Sequence, residues 1–309
     1  MPSPSRTSIY AALAGNVAVG AVKLAAWFFS GSSAMLVESI HSAIDTLNQG
    51  LLLFGIYRGA RPADDRHPFG YGLEAYFWTF VVALLILSAG GLASIYAGVE
   101  KLRHPEPVEN VALLLGVIAL CMVFEIASFV VSLRAAERGR PALSRKRLPQ
   151  VSLRQSIHFS SDPAVFEVLA EDAASILGLV IAAFGVAGSG WFGWAGADGI
   201  AAILIGVLLI ALAGVVIAET QSLLTAEAAL PSIVDAARSI LGNDARVDTV
   251  CEVLSMNLGP QEILMAATVD FCDDLTGPQL EEAVDELTDR LQSADPRITR
   301  LFIRPGRAV

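Results

Sequence analysis

Charge is scarce in this chain. Of 309 residues, 17% are Asp, Glu, Lys or Arg, and 54% are hydrophobic. A water-soluble globular domain carries about 25% charged residues. The shortage excludes a disordered or collagen-like chain and points to a polytopic membrane protein with some soluble chain attached. Cysteine is scarce as well: Cys121, Cys251 and Cys272 are widely spaced and odd in number. They form no CxxC pair, so neither a disulfide framework nor a cysteine-based zinc site is indicated. Basic residues are outnumbered 21 to 31, for a net charge of −10, which argues against a nucleic-acid binder. There is no HExxH sequence, so a membrane-embedded metal hydrolase is not expected. Tandem repeats and low-complexity tracts are absent.

What is present is long apolar runs. A helix needs roughly 20 residues to cross the hydrocarbon core. Six stretches meet that length, near 8–29, 33–57, 76–96, 111–133, 163–187 and 200–216. The second and fifth are interrupted by ionisable residues. The first eight residues, MPSPSRTS, are polar and lead into a full-length span with no convincing cleavage site, so an uncleaved first helix is expected.

Lys and Arg in short loops set orientation. Arg134, Arg138, Arg140, Arg145, Lys146, Arg147 and Arg154 cluster between the fourth and fifth stretches, and Arg58, Arg61 and Arg66 between the second and third. The opposite side has Lys101 and Arg103, and a fifth-to-sixth loop with Trp191 and Trp194 but no basic residue. Both termini are thus expected in the cytoplasm, with the chain multi-pass in a cell (inner) membrane. Arg145-Lys146-Arg147 suits topology and anionic lipid.

After about residue 219 the composition changes. Residues 221–309 hold 15 Asp/Glu against 7 Lys/Arg, a net of −8. The pattern predicts helix, strand, strand, helix, strand. Pro231 opens a helix to about Leu241, stopped by Gly242-Asn243. Residues 247–258 alternate imperfectly, and Gly259-Pro260 marks a turn. A strand follows over 263–271, an amphipathic helix from Gly277-Pro278 to about Leu291, and a strand over 297–303. The division expected is a transmembrane domain over 1–219 and a small α/β domain over 220–309, whose modest core favours contact with a partner.

The chemistry lies where charge meets apolar helix. An ionisable side chain inside a span is costly and is usually functional. The second stretch reads SAMLVESIHSAIDTLNQG. Glu38, His41 and Asp45 fall at i, i+3 and i+7, on one helical face that Asn48 continues. His41 and Asp45, four apart, can ligate one metal ion. In the fifth stretch Glu171 and Asp172 are adjacent and point about 100° apart. One is expected to face the second helix, the other water or a neighbour. Glu167 lies one turn before Glu171. A lone carboxylate such as Glu125 can serve only to fix packing, and Lys23 can snorkel or pair.

With these residues in view the chain resembles the cation diffusion facilitators. The carrying motifs are His41-Ser42-Ala43-Ile44-Asp45 and the loop PADDRHPFGYG over Pro62 to Gly72. The branch containing mitochondrial zinc exporters is similar through Glu38-Ser39-Ile40-His41-Ser42, Asp45-Thr46-Leu47-Asn48-Gln49, Leu169-Ala170-Glu171-Asp172, Glu125 and Val269-Asp270-Phe271. The resemblance implies six transmembrane helices, a C-terminal ferredoxin-like α/β cytoplasmic domain, a homodimer, and exchange of divalent metal for protons. It is a transporter, not an enzyme, that the resemblance implies, with no cofactor beyond the transported ion.

Departures from the family pattern bear on the site. Aligning Asp172 with the second-site Asp puts Val168 where zinc carriers have His. The ligands implied are His41, Asp45 and Asp172, with Glu171 as helper or proton carrier. The fourth ligand stays open among Glu171, Glu38, Asn48 and water. In the loop, Asp64 and His67 remain of a metal site whose second His is Tyr71 here, and Glu74 is expected to cap the third helix. The tail has no His, and Cys272-Asp273-Asp274 reads as a solvated strand end. His104 and His158 read as surface residues. Zinc is favoured by the branch; Mn²⁺, Fe²⁺ or Co²⁺ suit a carboxylate-rich set equally. A transport-inactive, metal-responsive membrane scaffold is the alternative of another class. The partners expected are a second copy, membrane lipid, the divalent ion and protons, and no nucleic acid.

Overall fold

A computed structural model describes residues 4–30, 33–105, 110–138 and 163–307. Arg140, Arg145, Lys146, Arg147, Arg154 and His158 lie outside the described residues, as do the side chains of Glu38, His41 and Lys23. The chain divides into two compact units.

The first unit is helical: α1 (Pro4–Ser30), α2 (Ser33–Gly59), α3 (Leu73–Arg103), α4 (Val111–Arg138), α5 (Pro163–Gly190) and α6 (Ala197–Leu224). At 1.5 Å per residue, 27 or 28 residues extend about 40 Å, enough to cross a hydrocarbon core of about 30 Å. Among the described residues, four segments are both long and apolar enough to do so: Leu73–Arg103, Val111–Arg134, Glu167–Gly190 and Ala197–Leu224. α1 and α2 are each 27 residues long; α1 has an apolar stretch at Leu13–Val22, and α2 carries the ionisable residues noted above. Large apolar side chains face outward along these helices, Val123, Phe184, Leu204 and Val215 among them. A helix apolar on every side belongs in lipid when it is not enclosed by protein.

Inside, α1 packs on α4 and α5, and α4 on α5. Ile9, Leu52, Val82, Ile86, Val168 and Ala213 form an apolar cluster drawn from α1, α2, α3, α5 and α6. α3 and α6 approach through paired glycines. A Cβ on Gly98 would stand 2.7 Å from the Gly199 carbonyl oxygen, and one on Gly206 the same distance from that of Gly91. Without water to drive association, small residues that let backbones touch are what hold membrane helices together. Lys101 and Asp198 pair near the ends of the same two helices. α3 also widens into a π-helical turn at Ile86–Leu92, where the Ser88 hydroxyl donates to the Leu84 carbonyl at 2.7 Å.

The second unit contains α7 (Pro231–Gly242), β1 (Val247–Gly259), β2 (Glu262–Phe271), α8 (Gly277–Ala294) and β3 (Ile298–Pro305), in the order read from the sequence. The sheet order is β1-β2-β3, with β1 antiparallel and β3 parallel to β2. β2 alternates strictly, burying Ile263, Met265, Ala267, Val269 and Phe271, as a strand with one face on a core must. α7 supplies Ile233, Ala237 and Leu241, and α8 supplies Ala283, Leu287 and Leu291, both at four-residue spacing. β1 alternates poorly because its register shifts at three places, and each extra residue flips the side chains that follow. A capping box starts α8: the Gln279 side chain accepts the Thr276 backbone N–H at 2.9 Å.

The loop over Arg58–Glu74 belongs to this unit, not to the helical one. Gly72 lies against the hairpin turn, and a Cβ there would run into the Leu258 carbonyl oxygen. A Cβ on Gly259 would in turn meet the Gly72 Cα at 2.8 Å. Two glycines are what this backbone-to-backbone approach requires.

Candidate functional site

Among the described residues, a polar seam runs through the helical unit. α2, α4 and α5 each contribute a stripe of polar groups at helical spacing. From α2 come Ser42, Asp45, Asn48 and Gln49, of which Ser42, Asn48 and Gln49 are buried and Asp45 is half-buried. From α4 come Cys121, Glu125, Ser128 and Ser132; Glu125 is half-buried and the other three are buried. From α5 come Glu167, Glu171 and Asp172, with Glu167 and Asp172 buried.

Hydrogen bonds tie the seam together. The Gln49 amide donates to Glu171 Oε2 at 2.6 Å, joining α2 to α5. The Ser128 hydroxyl lies 3.2 Å from both oxygens of Asp172, joining α4 to α5. Glu171 and Asp172 therefore part as adjacent helical residues must, one toward α2 and the other toward α4. Glu167, Asp45, Asp172 and Glu125 all lie within electrostatic range of Glu171. Such a gathering of negative charge in an apolar unit calls for a compensating cation or proton.

Of the residues picked out in the sequence, Asp45, Asn48, Glu171 and Asp172 thus fall in or beside the seam. His41 and Glu38 lie on α2 one and two turns before Asp45, with side chains outside the described residues. Among the described residues, no three His, Cys, Asp or Glu side chains converge on one ion position. Val168, where zinc carriers would have His, is a fully buried member of the apolar cluster, so that position has no donor. Gln49, Ser128 and Ser132 were not singled out from the sequence. The signal for the two serines is the spacing Glu125, Ser128, Ser132, which draws one polar face on an otherwise apolar helix.

The loop holds Asp64 and His67 in a different arrangement. Asp64 Oδ1 accepts the backbone N–H groups of Arg66 and His67 at 3.0 and 2.8 Å, and Oδ2 accepts the Tyr71 hydroxyl at 2.6 Å. These bonds, the Tyr71 bond first, hold the Asp64 carboxyl below its usual range and push the Tyr71 phenol up. The His67 ring stacks on Tyr71 at 4.1 Å, and the Arg61 guanidinium covers Tyr71 at 4.5 Å. His67 Nδ1 stands 3.6 Å from Asp64. Tyr71 thus takes an Asp64 lone pair that a metal would need. Glu74 lies in the first turn of α3, and its carboxylate accepts from Arg58 Nη2 and Nε at 2.6 and 2.9 Å.

Apolar helices with carboxylates gathered along an inner seam define an integral membrane protein. Residues 9–225 match the cation efflux transmembrane domain, and the chain belongs to that family, which is one of transporters and not of enzymes. It is 30% identical over 279 residues to the mitochondrial proton-coupled zinc antiporter SLC30A9 of Xenopus laevis, covering 87% of this chain and 49% of that protein. It is 30% identical over 267 residues to metal tolerance protein C4 of Arabidopsis thaliana, covering 86% and 57%. A third relative, the cation-efflux pump FieF of Shewanella oneidensis, is 30% identical over 184 residues, covering 60% and 54%. The chain spans about half the length of these curated relatives.

Proposed function

We propose that the protein is a divalent cation efflux transporter that carries zinc in exchange for protons. The observation that supports this most is the polar seam, in which Asp45, Glu125, Glu167, Glu171 and Asp172 are held inside apolar helices. The names of the relatives, a proton-coupled zinc antiporter among them, agree with it.

His41, Asp45 and Asp172 ligate the ion, with Glu171 as helper or proton carrier and Glu38 and Asn48 as further donors. Gln49 and Ser128 position the α5 carboxylates. Metal ligands must be deprotonated to bind, so loading releases protons. Once the ion leaves, carboxylates crowded in an apolar site take up a proton again. The two half-cycles make antiport, as the helices alternate between inward-open and outward-open arrangements. Asp64 and His67 are the weaker candidates for metal, since both Asp64 oxygens already accept hydrogen bonds within the loop.

All six helices of the first unit cross the membrane, with both termini in the cytoplasm of a cell whose inner membrane holds the protein. Residues 1–219 carry the ion. Residues 220–309 form a ferredoxin-like cytoplasmic domain that joins two copies in a homodimer. A seam richer in carboxylate than in imidazole supports a second reading, in which Mn²⁺, Fe²⁺ or Co²⁺ is the cargo.

The test is metal uptake into proteoliposomes of the purified protein, comparing Zn²⁺, Mn²⁺, Co²⁺ and Fe²⁺ with and without a pH gradient. Zinc flux that follows the gradient and vanishes in Asp45→Ala is expected. Flux confined to another ion moves the cargo to that ion. No flux with any ion overturns the transporter reading in favour of a metal-responsive scaffold.

A further inference from the structure

The short connection between α5 and α6, residues 191–196, carries three large aromatic side chains that the described residues leave uncovered. Trp191, Phe192 and Trp194 are 65%, 82% and 61% exposed. Their exposure does not come from a loose backbone. The Trp191 N–H donates to the Ala187 carbonyl at 2.9 Å, the Trp194 N–H to that of Gly188 at 3.1 Å, and the Ala197 N–H to that of Trp194 at 2.9 Å. Gly193 supplies the left-handed φ of 65° that the turn requires. The base of the turn is packed on its neighbours. A Cβ on Gly190 would run into Val111 of α4, and one on Gly196 would come within 3.3 Å of Leu102 of α3. The turn is a fixed platform that presents its aromatic side chains outward.

Charge marks the level at which this platform stands. Between Asp198 and Glu219, α6 has a run of 20 residues with no Asp, Glu, Lys or Arg. That run is about 30 Å of helix, the thickness of the hydrocarbon core. Asp198 therefore marks one edge of the core. It pairs with Lys101, and Glu100, Arg103 and His104 are exposed at the same end of α3. Trp194 and Trp191 lie only four and seven residues before Asp198, and residues 173–197 hold no charged side chain. Nothing in the loop resists contact with acyl chains, and a connection this short between two apolar helices keeps its tip near the core edge. An indole has an apolar body and one N–H donor, which suits a boundary with hydrocarbon on one side and water on the other.

We infer that Trp191, Phe192 and Trp194 form an anchor that inserts into the boundary between headgroups and acyl chains of one leaflet, so that the partner of this surface is phospholipid. The anchor fixes the height in the membrane of α5, the helix that carries Glu171 and Asp172. It needs only that α5 and α6 cross the membrane, and it is indifferent to which ion is carried.

The test uses full-length protein in phosphatidylcholine vesicles, with variants that retain Trp191 or Trp194 as the single tryptophan and have Phe at the other three positions. Fluorescence is measured in lipid brominated high on the acyl chain, in lipid brominated near the chain end, and with aqueous acrylamide. The expected result is stronger quenching by the first lipid than by the second, with little loss to acrylamide. Strong acrylamide quenching without bromine quenching would place the loop in water and overturn the anchor. Shielding from both quenchers would mean that protein, a second copy included, covers the loop, and would overturn it as well. Stronger quenching by the chain-end bromines would place the aromatics too deep for a boundary anchor. If the single-tryptophan variants do not fold, the signal that wild type loses in the double variant Trp191→Phe, Trp194→Phe decides between the same outcomes. Absence of ion flux would leave this result unchanged, so the two readings fail separately.

Discussion

Gln49 of α2 hydrogen-bonds Glu171 of α5 at 2.6 Å, across 122 residues of sequence. The bond is charge-assisted when Glu171 is ionised, and such bonds contribute about 1.5–3 kcal/mol. Gln49→Leu leaves the Glu171 carboxylate without that donor. The expected outcome is a rise of roughly tenfold or more in the KM for the transported ion, with the protein still folded. Wild-type KM in the variant would mean that Gln49 does not position Glu171.

Ser128 plays the corresponding part on α4, with its hydroxyl 3.2 Å from each oxygen of Asp172. Ser128→Ala removes the donor and adds no bulk. Apparent metal affinity should fall about tenfold, the loss of one hydrogen bond to a charged group. Ser128→Thr keeps a hydroxyl and should recover most of it. Isothermal titration on purified protein reads both.

The paired glycines of α3 and α6 make a stability prediction. In Gly98→Ala the new methyl would stand 2.7 Å from a backbone oxygen on α6, so the helices must separate. Overpacking of this kind costs about 1–3 kcal/mol. Gly50→Ala is the control, because nothing lies within 4 Å of its Cβ position. That exchange should stabilise α2 by about 0.5–1 kcal/mol, the helix-interior preference for Ala over Gly. Thermal melting in detergent, followed by size-exclusion recovery, should move in opposite directions for the two variants.

In the second unit, Arg246 hydrogen-bonds Asp244 from its side chain and its backbone N–H, and Arg290 adds a second positive charge. Together they hold the Asp244 carboxyl down at about 2. A depressed carboxylate contributes stability that is present above its unfolded value near 4 and is lost as pH falls toward 2. Asp244→Asn should therefore destabilise the unit at pH 7 by about 1 kcal/mol, allowing for solvent screening of the exposed arginines. Amide hydrogen exchange of peptides from α7 and α8 at neutral pH checks this. The difference between variant and wild type should shrink in acid unfolding below pH 3.

Much of the fold was legible because each part repeats a simple period. Uninterrupted apolar length marked the long helices, and their observed bounds exceed the expected ones because polar residues such as Arg58 continue the helix past its apolar section. β2 was readable from strict alternation. β1 was not, since its register shifts break the period. The close seat of Gly72 on the hairpin turn was illegible, because it joins two glycines 187 residues apart in number and leaves no local pattern.

The sequence by itself determined which faces are polar: Glu38, His41, Asp45 and Asn48 share a side of α2, and Glu125, Ser128 and Ser132 share a side of α4. Helical geometry alone fixes those relations. Only the tertiary structure decided what each face meets. It turned Glu171 to Gln49 and Asp172 to Ser128, put Val168 into the apolar cluster, closed Asp64 onto Tyr71, and buried Glu167 beside Glu171. Those are contacts between elements far apart in sequence. Side-chain period along one helix says where a group points, but the packing of several helices says what stands opposite it.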